Sequence, residues 1–217
     1  MAENTRVSKR GKIAGGSETN SAASAQDATS AIINRNGVDV PILETDRLRL
    51  RAHRSGDFNG CAAVWADPAV VRYISGKPST RTQSWLRMLA YAGHWEHVHF
   101  GYWAVELKEN GEYIGDVGFA DFKRDIIQPM KDVPEIGWVL ASRVHGMGYA
   151  TEAVRAAIAW GDKMIDAPRT VCMIDPENLA SLRVAEKNGY EIFERGLFNT
   201  APTVFLQRNR PQADRLT

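Results

Sequence analysis

An α+β domain built on a mixed sheet is the fold class this chain predicts, and three observations predict it. Segments of alternating apolar and polar residues are interleaved with segments of helical period along the chain. Asn110-Gly111, between two apolar runs, marks an early hairpin. Strand, helix and strand then follow one another from Ile136 to Gln207, the order that brings parallel strands side by side.

The elements follow in order. Structure begins near Pro41. Leu48, Leu50 and Ala52 alternate with Arg47, Arg49 and Arg51, which predicts a half-buried strand. Asp57 is placed to cap a short helix through Trp65, and Asp67-Pro68 supplies the cap and first residue of another, Val70 to Ile74. Thr80 to Gln83 has capping-box spacing before a helix whose apolar side carries Trp85, Leu86, Leu89 and Ala90. Tyr102 to Leu107 and Tyr113 to Phe122 are the two arms of the hairpin. Ile136 to Leu140 is a buried strand. The loop Ala141 to Gly148 leads into a helix from Tyr149 to Ile165, with Ala150, Ala153, Val154, Ala157, Ile158 and Ile165 on one face. Val171 to Ile174 is a short strand, Asn178 to Asn188 a helix stopped by Gly189, and Tyr190 to Arg195 and Thr203 to Gln207 are the last strands.

The 217 residues allow one ample domain with a tail. Residues 1–40 are expected to be a disordered tail, 41–210 the single domain and 211–217 a short C-terminal tail. Between Gly15 and Ser30 the chain is mostly Gly, Ser, Ala, Thr and Asn, which buries too little apolar surface to offset chain entropy. Arg6, Lys9, Arg10 and Lys12 make its start basic, so it reads as a solvated tail or a transit peptide. Lys plus Arg number 27 against 26 Asp plus Glu, which argues against a dedicated nucleic-acid binder. Two cysteines, Cys61 and Cys172, exclude a disulfide framework and a four-cysteine zinc site. They point to core filler in a reducing, cytoplasmic setting. No apolar run approaches the roughly eighteen residues of a membrane span.

The most informative stretch runs from Glu135 to Ala153. A buried strand enters a loop with two glycines, Gly146 and Gly148, and the loop opens a long helix. Glycines let backbone approach a ligand closely, and the first free amides of the helix, with its dipole, form an anion seat. Arg143 adds a cation. The local physics predicts a phosphate or pyrophosphate here, against the plainer reading that the glycines only shape a turn. The stretch lacks both the Gly-x-Gly-x-x-Gly pattern and the Gly-Lys-Ser/Thr ending of a P-loop. His94, His97 and His99 do not have zinc-ligand spacing and read as a polar helix end; no metal is expected.

Arg143-Val-His-Gly146-Met-Gly148 resembles the acetyl-CoA loop of the GNAT superfamily of N-acetyltransferases, Gln/Arg-x-x-Gly-x-Gly/Ala. Four further segments resemble its RimJ/RimL-like branch, in order: Leu43 to Arg51, Asp67 to Tyr73, Tyr113 to Phe119 and Asp175 to Tyr190. The resemblance spans about residues 43–207. It implies a mixed, mostly antiparallel central sheet with one splayed parallel pair, Ile136–Leu140 and Val171–Ile174, and helices on both faces. It implies acetyl-CoA as cosubstrate, an amine acceptor (a small molecule or a protein N-terminus), and a monomer or homodimer. Backbone groups of Ile136 and Trp138 would pair with the pantetheine arm. Amides from Arg143, Val144, His145, Gly146, Met147 and Gly148 would hold the pyrophosphate. Asn178 is a helix cap, a pantetheine contact, or both. His145 contacts phosphate or is merely exposed.

Acetyl transfer needs a deprotonated amine, a polarised carbonyl and a departing thiolate. Many relatives supply a tyrosine acid seven residues after the asparagine of the late helix; here that position is Ala185. The branch then implies Ser181 as its substitute, against a plain helical serine. Glu135 is the first candidate base, against a solvated strand-end carboxylate, with Glu106 and Asp116 behind it. Trp85, Trp95 and Trp103 are candidates for an acceptor pocket. The alternative to an active enzyme is a catalytically weak CoA-binding or regulatory module of the same fold.

Overall fold

The computed structural model describes residues 39–211. Its strands are β1 (Leu43–Glu44), β2 (Leu48–Arg51), β3 (Tyr102–Leu107), β4 (Tyr113–Ala120), β5 (Glu135–Leu140), β6 (Arg169–Ile174), β7 (Glu191–Phe198) and β8 (Ala201–Asn209). The helices are α1 (Phe58–Ala66), α2 (Pro68–Val71), α3 (Arg81–Val98), α4 (Tyr149–Met164) and α5 (Leu179–Lys187). One eight-stranded sheet runs in the order β1-β2-β3-β4-β5-β6-β8-β7. Every neighbouring pair is antiparallel except β5 and β6.

Helices cover both faces. Tyr102 and Gly118 are cross-strand partners, and Tyr102 stacks on Tyr91 of α3 with centroids 4.3 Å apart. Phe119, the next residue of β4, points the other way by the alternation of a strand. Its ring lies against Gly161 of α4, where an added Cβ would come within 2.9 Å of it. α4 buries Ala153, Val154, Ala157 and Ile158, the face its period predicts.

Several elements differ from the sequence expectation. α3 buries Ser84, Met88, Tyr91 and Trp95, while Trp85, Leu86 and Leu89 are 38%, 58% and 44% exposed. Two apolar stripes compete on this helix, and the one whose aromatics stack on β3 wins. Trp95 and Trp103 belong to the core, joined edge-on with Trp160, rather than to a pocket. Asp57 stands at the α1 cap position without capping it; its carboxylate is taken by Arg51 at 2.7 and 2.9 Å. β1 is two residues long, too short to alternate visibly. β7 and β8 extend past the predicted Arg195 and Thr203 to meet in a two-residue turn, Asn199-Thr200, with φ of 47° and 69°. That is the primed-turn geometry without the glycine that usually announces it.

The expected tails fall outside the described residues from 1 to 38 and from 212 to 217. Val40, assigned to the first tail, packs into the core at 9% exposure, and the carbonyl of Pro41 accepts a hydrogen bond from the Trp103 indole at 2.8 Å. Cys61 and Cys172 are buried free thiols. Burial pushes the Cys61 thiol up to about 12, so it does not ionise near neutrality. Among the described residues no helix is long and apolar enough to cross a membrane.

Candidate active site

The parallel pair opens almost as soon as it forms. β5 and β6 share one registered pair, Glu135 with Val171, and the Val171 amide donates to the Pro134 carbonyl at 3.0 Å. Beyond that fork the strands diverge. Because the Pro134 carbonyl faces β6, strand alternation turns the N–H and C=O groups of Ile136, Trp138 and Leu140 to the same edge. The Leu140 carbonyl is capped by His145, whose Nε2–H donates to it at 2.9 Å. The edge at Ile136 and Trp138 faces the opening.

The opening leads into a cleft of about 480 Å³ lined by Tyr73, Trp138, His145, Tyr149, Asn178 and Ser181, with Gly146 and Gly148 at its rim. The loop that closes this end is built locally. Ser142–Val144 make one 3-10 turn, in which the amides of Val144 and His145 donate to Ala141 and Ser142. Those two amides are therefore occupied. Gly146 and Gly148 then take φ of 77° and 84°, the left-handed region that glycine enters without strain. Gly148 is the N-cap of α4, with no side chain capping the helix. The first intrahelical bond from this end is Glu152 N–H to the Gly148 carbonyl, which leaves the amides of Tyr149, Ala150 and Thr151 for a ligand. A Cβ on Gly146 would meet nothing within 4 Å, so the loop faces open space. The backbone amides open to a ligand thus run from Gly146 to Thr151, shifted toward the helix from the predicted Arg143–Gly148.

Arg143 does not face the cleft. Its guanidinium reaches back to the Glu112 carboxylate and the Tyr113 carbonyl. Met147 is 53% exposed and offers backbone only. The cation that fixes the loop is Arg47, which sequence reading passed over. It donates to the Met147 carbonyl at 3.0 Å, pairs with Glu152 at 2.6 Å and lies over the Tyr149 ring. Thr45 adds a hydroxyl to Glu152 at 2.6 Å. Burial alone would raise the Glu152 carboxyl, but the Thr45 hydroxyl and the amide and guanidinium of Arg47 hold it below its ordinary value. These partners lie about a hundred residues apart, so no local signal reveals them. Arg183 and Lys187, four residues apart on α5, also line the cleft. Their i, i+4 spacing beside Ser181 was the available clue.

α5 carries two of the expected residues. Asn178 Oδ1 accepts the Ser181 amide at 3.1 Å, so the side chain caps the helix and its Nδ2 hydrogens stay available. The Ser181 hydroxyl makes no hydrogen bond among the described residues and borders the cleft. Ala185 is fully buried, so the vacated tyrosine position faces the core.

The acid candidates separate. Glu135 does not line the cleft; on the other side of the fork it holds Arg124 through both carboxylate oxygens, at 2.9 and 3.2 Å. Glu106 is bound by Arg51 and Arg49, at 2.6 and 3.1 Å. Asp116 is buried, with His53 at 2.8 Å and the Tyr113 hydroxyl at 2.7 Å. The His94 ring nitrogens lie against the Ala90 and Asp121 carbonyls, at 2.7 and 3.3 Å, and among the described residues no group of His, Cys, Asp and Glu could hold a metal.

Comparison with known proteins agrees with the fold. The uncharacterized protein YkkB of Bacillus subtilis is 35% identical over 154 residues, covering 68% of this chain and 83% of YkkB. A GnaT-family protein from Bordetella pertussis superposes with a TM-score of 0.69 at 30% identity, over 78% of this chain and 99% of that one. RimL, the ribosomal L7/L12 α-N-protein acetyltransferase solved in complex with coenzyme A, shares the fold with a TM-score of 0.63 at 16% identity, over 78% and 98%. Residues 47–191 match the family model of the acetyltransferase (GNAT) domain, and the chain, with its splayed strands and glycine-opened helix, is an acyltransferase of that family.

Proposed function

We propose that this protein transfers the acetyl group of acetyl-CoA to a primary amine by direct attack in a ternary complex. The observation that carries the reading is the continuity of one cleft from an anion seat to an unpaired strand edge. The seat, from Gly146 to Thr151, suits a pyrophosphate, with Arg183 and Lys187 as nearby cations. The free edge at Ile136 and Trp138 suits the amides of a pantetheine arm, and Asn178 Nδ2 stands on the facing wall. RimL, of the same fold, was solved with coenzyme A.

Acetyl-CoA supplies an activated acyl group whose thiolate leaves readily, a thiol having a pKa of roughly 8.5. The protein's part is to bind, orient and polarise. A backbone N–H on the β5 edge donates to the acyl oxygen, a contribution of about 3 kcal/mol in other acyl-transfer sites. Ser181 offers its hydroxyl to the departing sulfur. Glu135 receives the amine's proton through water, its charge held by Arg124. The acceptor approaches from the α3 side, and a small-molecule amine or a protein N-terminus fits that description.

A screen of acetyl-CoA against a panel of amines, following thiol release, tests the reading. Amine-dependent release is expected. CoA binding without release from any amine would favour the weak CoA-binding module, which Ala185 and the engaged Glu135 recommend. Absence of both binding and release would overturn the proposal.

Two substitutions test the assigned roles. Ser181→Ala is expected to lower turnover about tenfold or more with little change in acetyl-CoA affinity. Full turnover would show that the thiolate leaves unaided. Glu135→Gln is expected to lower turnover most at low pH, where the amine is mainly protonated, and to leave CoA affinity intact. A parallel loss at every pH would make the Arg124 pair structural instead.

A further inference from the structure

Tyr102, Gly118 and Gly137 form one row across three adjacent strands, Tyr102 opposite Gly118 and Gly118 opposite Gly137. The phenol lies along this row, over the two residues that have no side chain. Its hydroxyl ends against Gly137, where any added Cβ would overlap it. Gly137 stands two residues beyond the fork, between the two β5 residues whose backbone faces the opening. Stacking on Tyr91, with rings 8° from parallel, fixes the phenol in this pose. The ring is buried, yet its hydroxyl makes no hydrogen bond among the described residues and is not one of the fully enclosed orphaned groups. A tyrosine hydroxyl inside a protein ordinarily finds a partner. Here it is held at the fork with its donor unused.

We propose that the Tyr102 hydroxyl, set against Gly137 at the β5–β6 fork, donates a second hydrogen bond to the acyl oxygen alongside the β5 backbone. The inference rests on the acetyl-transfer reading above. As the amine nitrogen bonds to the acyl carbon, negative charge collects on the acyl oxygen. A donor already in place stabilises that charge without reorganisation. The C–S bond then breaks, the electron pair leaves on sulfur, and the amine's proton passes to water or Glu135. Tyr102 loses no proton in the cycle. Burial and the nearby Glu135 carboxylate push its hydroxyl above the ordinary tyrosine value, in keeping with a donor that stays protonated. Gly137 acquires a role as well: it makes room for the phenol, whereas a Cβ on Gly118 would first meet the backbone of Gly101 and Tyr102.

The test compares the full chain with Tyr102→Phe and with 3-fluorotyrosine placed at position 102. Tyr102→Phe keeps the stacked ring and is expected to lower kcat about a hundredfold, with acetyl-CoA affinity and melting temperature nearly unchanged. The fluorinated phenol is the stronger donor and is expected to hold or raise kcat, a response that a packing role would not give. It also carries the test should Tyr102→Phe fold poorly. A kcat within about threefold of the parent in Tyr102→Phe, or no difference between fluorotyrosine and phenylalanine, overturns the inference while leaving acetyl transfer standing. A parent chain that turns over no amine removes both.

Discussion

Gly148→Glu is expected to weaken acetyl-CoA binding by about a thousandfold while the chain still folds. Gly148 caps α4 at a φ of 84°, so any side chain there is strained by roughly 1 kcal/mol. The larger effect is electrostatic. A carboxylate about 4 Å from a phosphate charge costs roughly 4 kcal/mol at the effective dielectric of a protein surface. That is close to three powers of ten in affinity. Space is not the obstacle, since the first atom that a Cβ would meet is Arg47 Nη2 at 3.5 Å. Gly146→Ala separates the two causes, because it brings the strain of φ 77° without the charge and should cost about tenfold or less. Calorimetry with acetyl-CoA reads both. Unchanged affinity in Gly148→Glu would place the anion elsewhere.

Arg51→Met is expected to be the most destabilising single change outside the cleft. Arg51 is 4% exposed and divides its guanidinium between two buried carboxylates, Asp57 at 2.7 and 2.9 Å and Glu106 at 2.6 Å. Burial works against its charge, and the two carboxylates more than offset that cost. Removing the cation leaves both carboxylates without their principal partner, a defect of about 3–5 kcal/mol. In a domain of this size the melting temperature should fall by about 10 °C. Arg51→Lys keeps the charge but not the planar fork, and should fall between. A melting temperature within a few degrees of the parent in Arg51→Met would mean that Arg49, already 3.1 Å from Glu106, takes over the site.

The elements legible in the sequence are those whose signals lie within a few residues. The Thr80–Gln83 capping box forms as expected, with Gln83 N–H donating to the Thr80 hydroxyl at 3.2 Å. Asp67 caps α2, and Asn178 caps α5. Asn110-Gly111 turns the β3–β4 hairpin, with Gly111 at a φ of 73°. The run through Gly146 and Gly148 bends into a helix start because only glycine enters that backbone region freely. Spacing, caps and turns are properties of short segments, so they survive being read without a fold.

What the sequence by itself determined is therefore the order of strands and helices, the glycine-opened helix and the family resemblance that these carry. The tertiary structure decided where the side chains went. Arg143 left the cleft for Glu112, 31 residues away, while Arg47 came to the loop through Glu152, 105 residues away. Glu135 was claimed by Arg124, and the Tyr102 ring was laid across glycines of two other strands. Strand register and helix docking choose such partners, and both are settled by burying one apolar face against another over the whole domain. A charged or aromatic side chain then meets whichever group that packing brings within reach. Its destination is a property of the assembled sheet rather than of its neighbours in the chain.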